Sequence, residues 1–152
     1  MTAYADLDLT ELATAIRTGR LLPSEALREH LGRIDAVNPA INAVVTRVDE
    51  AAEERAAAAD AQLLTARAEG RELPPFFGVP LTHKDSIPTA GIRTTFGSPL
   101  FEDNVPTASA VIIDRLQRAG VISTGKTNVP EFAAGSHTFN PLFGTTRNPY
   151  DP

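Results

Sequence analysis

The sequence contains no cysteine, no tryptophan and only one methionine among its 152 residues. Without cysteine the chain has no disulfide framework, no cysteine zinc site and no thiol nucleophile. Basic residues are in the minority, because 14 Lys and Arg stand against 19 Asp and Glu, for a formal net charge of −5. A nucleic-acid surface would show a basic patch, so this balance argues against a nucleic-acid partner.

Long apolar runs are absent as well. No run approaches the roughly 18 residues that a membrane-spanning helix needs, and the acidic N-terminus (Asp6, Asp8, Glu11) lacks the apolar stretch of a signal peptide. We therefore expect no membrane partner and a cytoplasmic location, which suits a chain without cysteine. The 42 % of hydrophobic residues is enough for the core of one ordinary domain.

The first part of the chain, residues 1–70, is predicted to be helical. Asp8 and Glu11 fit a capping box at the start of the first helix. Ser24 is the predicted N-cap of the second helix, which we expect to end at Asn38-Pro39. His30 has no partner at the spacing of metal ligands, so we predict a structural or exposed histidine and no metal site.

Two further elements are predicted before residue 70. Residues 41–46 are rich in β-branched side chains and predict a short strand. The alanine-rich stretch from Asp49 to Ala68 predicts a long surface helix that Gly70 closes.

Proline and glycine become frequent after Gly70, where ten of the twelve prolines lie. These prolines and glycines interrupt the apolar runs, which predicts an α/β region with many loops over residues 71–152. Within it, residues 78–85 (Gly-Val-Pro-Leu-Thr-His-Lys-Asp) predict a short strand that ends in a turn at Lys84. An exposed Lys84 would form a surface pair with Asp85, worth about 0–1 kcal/mol. A buried Lys84 would have to be paired or neutral, and a neutral lysine near a hydroxyl can act as a general base.

A helix and a strand follow. Thr107 or Ser109 is the predicted N-cap, the apolar residues are expected to face inward, and Gly120 ends the helix. These inward residues are Val111, Ile112, Leu116 and Ala119. Residues 121–124 predict a strand, and a helix, a glycine and a strand in this order indicate parallel pairing with the strand that contains Leu81.

The Gly-Lys-Thr at residues 125–127 invites comparison with a phosphate-binding loop. Such a loop must follow a strand and open directly into a helix. Here Gly120 stands at the required spacing, but residues 121–124 are strand-like and Val129-Pro130 follows. We therefore predict no nucleotide site and no cofactor.

Five segments, in this order, resemble the amidase signature family. They are Gly-Val-Pro-x-x-x-Lys-Asp at 78–85, Gly-x-x-Thr-Thr-x-Gly-Ser at 91–98, Arg-Leu-x-x-Ala-Gly at 115–120, Gly-Lys-Thr-Asn at 125–128, and Phe-Gly-x-Thr-x-Asn-Pro at 143–149. The resemblance implies an α/β fold in which N-terminal helices precede the first strands of a mixed β-sheet core covered by helices. Residues 71–152 would be the first part of that core, within one incomplete domain.

The resemblance also implies hydrolysis of carboxamide C–N bonds by a Ser-cisSer-Lys triad, whose lysine corresponds to Lys84. For that role Lys84 must lose its proton, and we expect burial behind Phe76, Phe77, Val79 and Leu81 to favour the neutral amine. Residues Ala133, Ala134 and Gly135 would line part of the acyl-binding pocket.

The two serines of the triad lie in glycine-rich segments of the family, one of them Gly-Gly-Ser-Ser-Gly-Gly. Ser98, Ser123 and Ser136 do not stand in such contexts. We therefore expect these 152 residues alone to be inactive and to be the N-terminal portion of an amidase. The expected partners are a small amide substrate and the remainder of the amidase chain, and a homodimer is a possible assembly.

Two other interpretations stay open. The chain could be a non-catalytic remnant or an interaction module that uses its amphipathic helices. It could also be the amidase subunit of a tRNA-dependent amidotransferase, although residues 128–132 and 135–140 look more like those of stand-alone amidases.

Overall fold

The computed structural model describes residues 7–152, so residues 1–6 of the predicted helical segment lie outside the described part. The described residues form a mixed α/β structure, which confirms the predicted fold class. In chain order the elements are α1 Leu9–Arg17, α2 Pro23–Ile41, β1 Val44–Arg47, α3 Asp49–Glu69, β2 Pro80–Lys84, α4 Val111–Arg118, β3 Ile122–Thr127, β4 Phe139–Asn140 and β5 Gly144–Thr145, with 3₁₀ turns at Pro99–Phe101 and Glu131–Ala133.

The main sheet of the described residues has the strand order β1-β3-β2. Strand β2 runs parallel to β3, as predicted, and Lys84 lies opposite Thr127. Strand β1 pairs with β3 in the antiparallel direction. The sheet is therefore mixed, and it joins β1 from the helical first part to the strands of the second part.

The hydrophobic core lies between the first three helices and the strands β2 and β3. Its buried side chains include Ile16, Leu21, Leu27, Leu31, Leu63, Phe77, Val79 and Ile122. Helix α3 contributes mainly alanines, among them Ala52 and Ala56, which are fully buried. Small side chains allow this long helix to lie close to its neighbours.

Two of the predicted helix starts and ends are confirmed. Glu11 N donates to Asp8 Oδ1 at 2.8 Å and Asp8 N donates to Glu11 Oε2 at 3.0 Å, which is the predicted capping box. Helix α3 spans Asp49–Glu69 and ends at Gly70 in the left-handed conformation.

The predicted ends of α2 are wrong. Leu22 is the N-cap and Pro23 occupies the first turn, where its fixed φ suits a helix. Ser24 instead donates its backbone N–H to Asp60 Oδ1. Pro39 lies inside the helix, which continues to Ile41 and ends at Asn42 with φ 53°. Because of this extension the strand predicted at residues 41–46 starts only at Val44, and it ends at Arg47.

The predicted start of α4 is also wrong, and two of its four predicted inward residues, Val111 and Ile112, face outward. Ala110 precedes the helix, and the hydroxyl of Ser109 accepts from Ala90 N, so it does not cap α4. Ile113 is buried, whereas Val111 and Ile112 are 67 % and 52 % exposed. An eight-residue helix buries only a narrow stripe, and here that stripe contains Ile113. Among the helices of residues 7–152, none is both long and apolar enough to cross a membrane.

Candidate active site

Lys84 is the last residue of β2, as the sequence predicts. Asp85 follows it and donates its N–H to Thr127 O at 2.9 Å, which continues the pairing with β3. Because β2 and β3 are parallel, their carboxyl ends meet at the same edge of the sheet, where ligands of open α/β sheets commonly bind. Lys84 therefore lies at the edge of the sheet that suits a binding site.

The expected burial of Lys84 is wrong within the described residues. Phe77 and Val79 are buried, but in the core beneath the helices, and Lys84 itself is exposed. Its neighbours His83 and Asp85 are 3 % and 0 % exposed. Successive side chains of a strand point to opposite faces, so Lys84 points away from the buried side on which His83 and Asp85 lie.

Asp85 fastens the hydroxyl-rich loop of residues 94–98 beside Lys84. Its carboxylate accepts the Thr95 N–H at 3.1 Å and also the Thr95 hydroxyl, and its carbonyl oxygen accepts from Phe96 N at 3.1 Å. The Thr95 oxygen in turn accepts from Gly97 N at 3.0 Å. A buried carboxylate is stable when its oxygens accept hydrogen bonds in this way, so Asp85 holds the loop in place.

The segment predicted to line the acyl pocket is attached to that same loop. Phe132 N donates to Phe96 O at 2.8 Å, and the Ser98 hydroxyl donates to Glu131 Oε1 at 2.6 Å. Ala133, Ala134 and Gly135 are all exposed. The structure thus places these three residues and Lys84 at connected positions, through Asp85 and the loop.

This segment also holds an unfavourable backbone conformation. Phe132 and Ala133 have φ values of 51° and 60°. A side chain in this left-handed region costs about 1–2 kcal/mol per residue. Such strain is concentrated at functional sites, so it marks this segment as a candidate for a functional role.

Lys126 is a buried ammonium near Lys84 that the sequence reasoning missed as a site residue. It is fully buried, and its Nζ donates to Ile87 O at 2.5 Å and to Thr89 Oγ1 at 3.0 Å. Burial lowers the pKa of Lys126 to about 8, partly opposed by the charge of Asp85. Gly125 and Lys126 lie within β3, and no helix follows this strand directly.

Two histidines bond to hydroxyl groups of β3. His30 on α2 is half-buried, with its Nε2 3.1 Å from Thr124 Oγ1, in agreement with the predicted structural role. His83 Nε2 lies 2.8 Å from Ser123 Oγ, which also accepts from Gln117 Nε2. Burial, and secondly the charge of Lys126, lower the pKa of His83 to about 4.

The low pKa of His83 predicts a loss of stability in acid. In the unfolded chain His83 binds its proton near pH 6.5, and in the folded protein only near pH 4. The contribution of neutral His83 to the free energy of unfolding is therefore fully present above pH 6.5. About 3 kcal/mol of it is lost as the pH falls towards 4. We expect the urea midpoint to fall over this range, and the fall to be smaller in His83→Gln. An equal fall in both proteins would contradict this assignment.

Comparison with known proteins identifies the family. The family model described as Amidase matches residues 25–152. The chain belongs to the amidase family.

Two curated relatives and one solved structure illustrate how similar the chain is to known proteins. The chain is 43 % identical over 141 residues to a glutamyl-tRNA(Gln) amidotransferase subunit of Acidothermus cellulolyticus, covering 93 % of the chain. It is 41 % identical over 144 residues to an acylamidase of Rhodococcus erythropolis, covering 95 %. The structure of a peptide amidase from Stenotrophomonas maltophilia matches 97 % of the chain with a TM-score of 0.81 and 33 % identity.

The chain spans less than a third of the length of these three proteins. It covers 27 % of the amidotransferase subunit, 29 % of the acylamidase and 31 % of the peptide amidase. The geometry described above is therefore that of one part of an amidase fold.

Proposed function

We propose that the protein hydrolyses the C–N bond of small carboxamides and that Lys84 is the base of the reaction. The observation that supports this most strongly is the position of Lys84 in a chain of the amidase family. It stands exposed at the carboxyl end of β2, between a buried Asp85 and a buried His83 that fix the backbone around it. An exposed amine on a rigid strand end can reach a group that lies outside residues 7–152.

The proposed chemistry follows from the family's Ser-cisSer-Lys triad. As the base, the amine of Lys84 accepts a proton from a bridging serine, which accepts the proton of the nucleophilic serine as that oxygen attacks the carbonyl carbon. The proton returns to the leaving nitrogen when the C–N bond breaks, and an acyl-enzyme remains. Water then releases the carboxylic acid by the same proton path.

Ala133, Ala134 and Gly135 are proposed to contact the acyl part of the substrate. Two alanines and a glycine leave room for a ligand, and the hydrogen bonds of Glu131 and Phe132 fix the segment beside the loop that Asp85 holds. We further propose a cytoplasmic protein with a small amide as its ligand and no nucleic-acid or membrane partner. A homodimer is part of the same proposal.

An amidase subunit of a tRNA-dependent amidotransferase is a second candidate, because one relative at 43 % identity is named as a subunit of such an enzyme. The acylamidase matches at 41 %, so identity does not separate the two. We favour the stand-alone amidase, because residues 128–132 and 135–140 look more like those of stand-alone amidases.

The proposal is tested by ammonia or amine release from a panel of aliphatic and aromatic carboxamides. The protein as its gene encodes it should hydrolyse at least one of them without a partner protein. Residues 1–152 expressed alone should hydrolyse none, because they lack the glycine-rich serine segments. Activity that appears only with partner subunits would favour the amidotransferase, and no activity under either condition would favour the non-catalytic module.

A further inference from the structure

Lys126 places a charged group in a fully buried position of β3. An ammonium ion is costly to remove from water, whereas a methionine of similar length is not. The two hydrogen bonds of Lys126 Nζ, to Ile87 O and to Thr89 Oγ1, are both to residues of the turn that follows Lys84. The buried ammonium group of Lys126 thus donates both hydrogen bonds to one short segment, residues 86–89.

That segment is bonded directly to Lys84. Ile87 N donates to Lys84 O at 2.9 Å, which closes the turn at the end of β2. The carbonyl oxygen of the same Ile87 accepts from Lys126. Lys126 also lies opposite His83 in the pairing of β2 with β3, one position before the partner of Lys84. A single residue, Ile87, therefore connects the buried lysine to the exposed one.

Asp85 is held from a different direction. Its carboxylate bonds to Thr95 in the loop of residues 94–98, while Lys126 bonds to the turn of residues 86–89. The two buried charged groups fix the chain on the C-terminal side of Lys84 at separate points. Neither of them is needed to form the hydrogen bonds between β2 and β3, which are made by the backbone.

We propose that Lys126 is a positioning residue for Lys84: its hydrogen bonds to Ile87 O and Thr89 Oγ1 fix the turn that carries Lys84, and with it the place of the Lys84 amine. This inference rests on the proposed role of Lys84 as the base. It assigns Lys126 no contact with the substrate. Loss of Lys126 should consequently reduce the rate of the chemical step and leave substrate binding nearly unchanged.

The test uses steady-state kinetics of the protein as its gene encodes it, with the carboxamide that it hydrolyses best. Lys126→Met removes both hydrogen bonds at similar side-chain length, and we expect kcat to fall about tenfold or more while KM stays within about twofold. Thr89→Val removes the acceptor of one bond of Lys126, together with the bond that the Thr89 hydroxyl itself donates to Ile87 O at 3.2 Å, and should lower kcat about threefold. Thr89→Ser keeps the hydroxyl and should restore kcat to within about twofold of the unmodified protein.

If Lys126→Met does not fold, the pair at Thr89 still tests whether the hydroxyl to which Lys126 donates is needed for the rate. An unchanged kcat in folded Lys126→Met, or equal kcat in Thr89→Val and Thr89→Ser, would overturn the inference. A rise in KM as large as the fall in kcat would also overturn it, because it would place Lys126 in substrate binding. Lys84→Ala, measured in parallel, separates the two proposals. If Lys84→Ala keeps its activity, the role of Lys84 fails. If only Lys84→Ala is inactive, the positioning role alone fails.

Discussion

Lys84→Ala is expected to lower kcat for carboxamide hydrolysis by about 10²–10⁴-fold, the usual contribution of a general base. Among residues 7–152 the side chain is exposed at the end of β2, so its removal should change the folding stability of residues 1–152 by less than about 0.5 kcal/mol. The loss would therefore come from the missing amine and not from a damaged fold. The measurement is kcat on the best carboxamide, with the thermal midpoint recorded for each protein.

Lys84→Arg is the matched variant for this prediction. Arginine keeps the positive charge and the length of the side chain, but it does not lose its proton in proteins. We expect it to be about as inactive as Lys84→Ala. An active Lys84→Arg would mean that position 84 supplies a charge and not a base.

Gly125→Ala is expected to have the largest effect on stability. Gly125 lies in β3 with φ at +149°, and a Cβ there would stand 2.1 Å from the carbonyl oxygen of Thr46 in β1. Both groups belong to paired strands, since Gly125 lies opposite Arg47. The strands would have to separate, so we expect a destabilisation above about 4 kcal/mol or a failure to fold.

Gly135→Ala is the control for the backbone conformation alone. Gly135 has φ at +150°, nearly the same as Gly125, but the nearest atom to its added Cβ would be 3.7 Å away. Its destabilisation should therefore be much smaller and should report only the strain of the conformation. Similar urea midpoints for the two variants would show that the close contact with Thr46 does not contribute to the destabilisation of Gly125→Ala.

The sequence predicts the local features of this fold well where neighbouring residues determine them. The capping box of Asp8 and Glu11 and the glycine end of α3 depend on residues within one helical turn, and both are confirmed. The parallel pairing of β2 and β3 follows from the order of helix, glycine and strand. The strand end at Lys84 follows from the prolines and glycines around it.

The features that the sequence did not predict depend on tertiary packing. Val111 and Ile112 are apolar, yet they are exposed, because α4 packs with Ile113 on its buried face. Lys84 was expected behind Phe77 and Val79, but these pack against the helices while the alternation of β2 turns Lys84 outward.

The importance of Lys126 could not be predicted from its neighbours in the sequence. Its partners Ile87 and Thr89 are more than 35 residues away along the chain. The structure supplies what the sequence does not: residues 122–126 are buried at every position, so a lysine in this strand must bury its charge.

The central claim, that Lys84 is the base of an amidase that forms an acyl-enzyme, is tested most directly by mass spectrometry. The protein as its gene encodes it would be mixed with a reactive carboxamide, quenched in acid within the first turnover, and its intact mass compared with that of Lys84→Ala treated identically. We predict a mass increase equal to the acyl group in the unmodified protein and none in the variant. An acyl adduct that forms at the same rate in Lys84→Ala, or no adduct during observed hydrolysis, would contradict the account.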